Sequence, residues 1–123
     1  MTSGYVPPGW PPAVRPPGAP DWESTATAFL FDCCPADFRG YPVLRRHPGV
    51  LARFAARFVD GQVGTCQRGL AGVRIELADR VPPEVVAAAL DAWSEQAARL
   101  ARTRRAVQMV GQALDGQVFV PRL

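Results

Sequence analysis

The chain has 123 residues, 48% hydrophobic and 20% charged, which fits one soluble globular domain with a modest core and excludes a disordered or multidomain protein. A net charge of +3 is too small to argue for nucleic acid by itself, and every basic residue is arginine. No apolar run approaches the ~20 residues of a membrane span. The three cysteines and a start with no secretory leader give the expectation of a reducing cytoplasm.

Residues 1–21 hold Pro7, Pro8, Pro11, Pro12, Pro16, Pro17 and Pro20, with Gly4, Gly9 and Gly18 between them. That composition forbids helix and favours an extended chain. Tyr5, Val6, Trp10 and Val14 are large apolar groups in a segment that would otherwise be solvated. It therefore reads as a strap lying on the protein's own helices rather than a ligand for another domain.

Residues 22–34 read as a short helix. Asp21 stands at its N-cap and Pro35 closes it, with Trp22, Ala26, Phe29, Leu30 and Cys33 on one face and Asp32 toward water. Residues 35–47 read as a loop with one helical turn. Cys33 and Cys34 are adjacent, which is not the spacing of a zinc or dithiol motif, so no metal or cofactor is expected. His47 has no implied nucleophile or metal beside it, and its expected role is to cap the helix that begins at Pro48.

The organising feature is a pair of long helices, 48–80 and 83–115. Ala52, Ala56, Val59, Val63, Cys66, Leu70, Val73 and Leu77 alternate by four and three. Val86, Leu90, Trp93, Ala97, Leu100, Arg104, Val107, Gly111 and Leu114 repeat the alternation. Residues three and four apart share a helical face, so this is a coiled-coil-like seam. Pro82 ends the first helix and Pro83 suits the first position of the second. So short a link leaves only an antiparallel return. That register places Leu77 near Val86, Leu70 near Trp93, and Arg104 beside Asp60, which is expected to neutralise it.

Gly61, Gly64, Gly69 and Gly72 interrupt the first arm, each costing about 1 kcal/mol relative to Ala. Gly61, Gly64 and Gly72 share a face, so close packing of the strap or of a partner helix is one explanation and a helix irregularity the other. Nine of the 11 aromatics precede residue 59, so strap, short helix, loop and the extended 116–123 tail should gather at the open end. Gly116 is the expected stop of the second arm.

The turn end then has only its own seam. A second, weaker apolar face there comprises Ala71, Ile75 and Ala78 on one arm and Val85, Ala88, Ala89 and Ala92 on the other. It is a candidate partner-binding surface, set against a plain Ala-rich solvated helix. Arg45, Arg46, Arg53, Arg57, Arg102 and Arg105 are a candidate basic patch, set against a solvated face with helix pairs Glu76–Arg80 and Glu95–Arg99.

Three stretches carry a resemblance: Val6-Pro7-Pro8-Gly9-Trp10-Pro11 with Pro16 to Glu23, Gly40-Tyr41-Pro42-Val43-Leu44-Arg45-Arg46-His47-Pro48, and Phe119-Val120-Pro121-Arg122-Leu123. The chain resembles a family of short uncharacterised proteins of high-GC actinobacteria. The resemblance implies no activity, and it implies that the patterned N-terminus belongs to the fold.

The expected fold is all-α: a long antiparallel helical hairpin with a short N-terminal helix and an extended Pro-rich strap. The expected function is non-catalytic, an interaction or adaptor protein that binds a protein partner or a second copy. The alternative is a small nucleic-acid-associated protein using the arginines.

Overall fold

The computed structural model describes residues 4–122. It is all-helical, with α1 at Trp22–Asp32, a 3₁₀ turn at Ala36–Gly40, α2 at Pro42–Arg46, α3 at Pro48–Leu77 and α4 at Pro83–Leu114. Helices α3 and α4 form the hairpin, each ~45–48 Å long at 1.5 Å per residue. Their facing residues match the expected register. Asp60 and Arg104 approach to 2.8 Å, and a Cβ on Gly111 would sit 3.5 Å from the Ala52 methyl. The Cys66 thiol donates to the Trp93 carbonyl at 3.4 Å. The Asp60–Arg104 pair is about half exposed, so it lies at the rim of the seam rather than inside it.

The helix ends follow from backbone chemistry. The amides of Arg80 and Val81 both bond to the Leu77 carbonyl, closing α3 three residues before the expected end at 80. The Pro82 carbonyl then receives the amides of Val85 and Val86, and Pro83 opens α4. At the far end Gly116 has φ +95, and its amide and that of Gln117 return to the carbonyls of Ala113 and Gln112. This is the Schellman closure that a glycine beyond a helix allows. Helix α1 ends at Asp32 rather than 34, because the amides of Cys33 and Cys34 tighten onto the carbonyls of Leu30 and Phe31.

Asp21 and His47 stand at the expected N-cap positions, but neither caps through its side chain. The Asp21 carboxylate does not cap α1. It pairs with Arg15 of the strap at 3.4 Å, while the Asp21 carbonyl receives the Ser24 hydroxyl and the Thr25 amide. His47 caps α3 through its carbonyl, which accepts from Val50 and Leu51, and its ring makes no cap bond.

The core lies at the open end. Val14 of the strap, Ala26, Leu30 and Phe31 of α1, and Leu44 of α2 close on Leu51, Ala52, Ala55, Val59, Val107 and Val110. Phe31 joins this core although the expected α1 face omitted it. Its ring also lies beneath the Arg39 guanidinium, which pairs in turn with Asp32.

The strap packs on its own helices. Val14 is 3% exposed, and the Trp10 indole donates to the Val14 carbonyl at 2.9 Å and meets Phe119 edge-on at 5.8 Å. The Arg15 amide donates to the Thr25 hydroxyl. The strap's path runs over α4 near Arg105 and Met109, which lie against Gly9. It does not cover the α3 glycines. Residues 1–3 and Leu123, at the outer ends of the expected strap and tail, lie outside the described residues.

Candidate functional site

Helix α1 fills the groove between α3 and α4 along the base only. Its inner residues Ala26 and Leu30 sit among Leu51, Ala55, Val59 and Val110. Beyond its last turn the groove continues toward the hairpin turn with none of the described residues filling it. That open section has a volume of about 730 Å³ and is lined by Arg57, Phe58, Gly61, Gln62, Thr65, Cys66, Arg68, Trp93, Gln96 and Leu100. Its floor is apolar, from Cys66, Trp93 and Leu100. Its rim carries two guanidiniums.

The lower end of the groove is continuous with an aromatic cluster. Phe38 meets Phe58 at 5.0 Å, Tyr41 at 5.8 Å and Phe54 at 6.1 Å, all edge to face. Tyr41, Phe54 and Phe58 are each two-fifths to one-half exposed. Coverage of the seam alternates in the outer half: Cys66, Val73 and Val86 are buried, while Leu70, Leu77, Leu90, Trp93 and Leu100 are half-buried. Two helices enclose their own seam only in part, and the third wall that α1 supplies at the base is missing further out.

The glycines divide by what surrounds them. A Cβ on Gly69 would stand 2.8 Å from the Trp93 ring, so Gly69 lets that indole lie flat on α3. A Cβ on Gly61 or Gly72 would meet nothing within 4 Å, and one on Gly64 would meet only the end of the Arg68 side chain. Of the shared face Gly61, Gly64 and Gly72, none is used to admit the strap. Gly69, which the expectation left off that face, is the one required within the chain.

The seven turn-end residues do not make one face. Ala78 lines a second groove, of about 620 Å³, with Arg74 and, on α4, Pro83, Val86, Ala87, Leu90, Asp91 and Ser94. Ala89 and Ala92 lie seven and four residues from Gln96, on the side of the first groove. A two-helix ribbon has one groove on each side of its seam, so the candidate surface is split between them. Ile75, 82% exposed, points away from the seam, and Ala71, Val85 and Ala88 are also exposed.

The candidate arginines are likewise dispersed. Arg57 rims the first groove. Arg102 and Arg105 border a cleft with Pro8, Gly9 and Trp10 of the strap. Arg45 and Arg46 border another, beside Glu23 and Asp32. Arg53 pairs with Asp115 at 3.3 Å, and Arg45 donates to the Arg39 carbonyl. The ion pairs found among the described residues join different elements. Glu76–Arg80 and Glu95–Arg99 are not among them, and Arg80 lies beyond the end of α3, where the helical spacing no longer holds.

Cys33 is pushed up to about 11, first by burial and then by Cys34 and Asp32. Burial raises Cys34 as well, opposed by Arg39. Burial thus disfavours both thiolates, the form that nucleophilic thiol chemistry uses. No group of three or more His, Cys, Asp or Glu side chains is placed to hold a metal among the described residues. No described helix is long and apolar enough to cross a membrane. Comparison of the chain with protein-family models, with curated proteins and with solved structures gives no match.

Proposed function

We propose that this protein is a non-catalytic interaction module that binds a protein through the outer half of its hairpin. One observation carries the reading: the α3–α4 groove that α1 fills at the base continues open beyond it, floored by Cys66, Trp93 and Leu100 and edged by Arg57 and Arg68. A helix laid there would complete the three-walled packing that the base already has, which is the helix-in-groove mode of recognition. The nucleic-acid alternative has less support, because five of the six candidate arginines are divided among three clefts and Arg53 is paired with Asp115.

The test is co-purification of the tagged chain from its own host, with and without nuclease, beside a Gly61→Glu variant. Gly61 lines the groove and its Cβ position is open, so the substitution blocks the groove without disturbing the core. Partners that survive nuclease and vanish with Gly61→Glu support the reading. Partners that vanish only with nuclease overturn it in favour of nucleic acid.

A further inference from the structure

Resting on that reading, we infer that the occupant of the open groove is a second copy of this chain, its hairpin laid antiparallel on the same face so that the two outer halves form a four-helix bundle. The open face runs from the end of α1 to the turn, with Gly61, Thr65 and Gly72 on α3 and Gln96, Ala92 and Ala89 on α4. Gly61 and Gly72 are eleven residues apart, three turns of helix, and so lie on one line along α3. Trp93 accounts for Gly69, yet none of the described residues occupies the space above Gly61 or Gly72. Each still weakens α3 by about 1 kcal/mol relative to Ala. Close approach of another helix backbone is what such positions permit.

Charge selects the occupant and its direction. Toward the turn the hairpin carries Glu76, Asp79 and Glu84 against Arg80, while Asp91 and Arg74 line the other groove. The other end of the open face carries Arg57, with Arg99 three residues beyond Gln96, while Arg68 and Glu95 lie level with each other near its middle. A parallel overlay stacks acid on acid and arginine on arginine. An antiparallel overlay sets each acidic turn over the other copy's arginines, and two-fold symmetry makes that contact twice. Every neighbouring helix pair in the bundle then runs antiparallel, as in an up-and-down bundle.

The size of the contact fixes its strength. Helix α1 and Phe38 already occupy the base, which leaves a face ~25 Å long and ~20 Å wide, or ~1,000 Å² over both copies. That is at the lower limit for a specific interface. The dimer is therefore weak and concentration-dependent.

The experiment is sedimentation equilibrium on the full-length protein from about 5 to about 500 μM, a span suited to a small interface. The expected result is a mass rising from one chain to two, with association weakened several-fold when salt goes from about 0.05 to about 0.5 M. Gly72→Glu and Ala92→Glu each keep the helical circular dichroism and thermal midpoint of the parent and stay monomeric throughout. A parent chain that stays monomeric at all concentrations overturns the inference, as does a dimer that persists in both variants. If the parent is monomeric but Gly72→Glu loses partners that the parent captures from its host, self-association falls and the interaction reading stands. If both variants keep those partners, both readings fall.

Discussion

A Cβ added to Gly69 would lie 2.8 Å from the Trp93 ring, while one added to Gly72 would touch nothing, although both sit in the same helix three residues apart. Opposite effects follow from the same substitution. Gly69→Ala should destabilise the chain by about 1–3 kcal/mol, because the indole cannot retreat without opening the seam. Gly72→Ala, in the monomer, should stabilise it by roughly 0.5–1 kcal/mol through helix propensity. Urea unfolding of both variants measures the pair, and a loss in Gly72→Ala monomer would show that its surroundings are not open. At Asp60–Arg104 the half-exposed ion pair sets register more than strength. Asp60→Asn should cost less than about 1 kcal/mol by the same measurement.

The Cys33 thiol gives a signed pH dependence. Its pKa is raised from 9.0 to about 11 in the folded chain. The unfolded chain therefore loses the proton first as pH rises. The stabilising contribution is complete below pH ~9 and disappears as pH climbs through about 11. The thermal midpoint should fall across that window, and the fall should shrink in Cys33→Ala. Alkylation of Cys33 at neutral pH should be slow compared with an unfolded control, since the thiolate is scarce.

Among the elements, the strap is where composition and packing meet most directly. Seven prolines keep residues 4–20 out of helix, and Trp10 and Val14 supply the apolar weight that holds them down. Trp10 bridges the strap to the tail through Phe119 and closes its own loop through the Val14 carbonyl. Trp10→Ala should cost roughly 2–3 kcal/mol, less than a fully buried indole because part of the ring is exposed. An unfolding midpoint unchanged by that substitution would mean the strap contributes nothing to stability. The strap's apolar content was legible in the sequence; its route over α4, away from the glycines of α3, was not.

For the whole molecule, stability should be graded along the hairpin. The base has three packed walls and the outer half has two, with Leu70, Leu77, Leu90 and Trp93 half exposed. Native-state hydrogen exchange on the monomer should protect amides near Leu51–Val59 and Ala106–Ala113 most, and those flanking the turn least. Docking of a helix in the open groove should raise protection there and leave the base unchanged.

The sequence by itself determined the hairpin. Alternation by three and four sets which side of each helix faces its partner, Pro82-Pro83 places the turn, and Gly116 places the end. Register followed from the turn alone, which is why Asp60 and Arg104 could be paired in advance. Local rules failed in detail where an alternative partner was better placed: Asp21 keeps the N-cap position of α1, but its carboxylate pairs with Arg15. Only the tertiary structure decided which groove α1 fills, which glycine Trp93 needs, and that seven apolar turn-end residues and six arginines are divided among separate surfaces. Periodicity fixes the direction of a side chain around its own helix. It does not fix which side of a two-helix ribbon the remaining segments cover, because that depends on contacts summed over strap, α1, α2 and tail together.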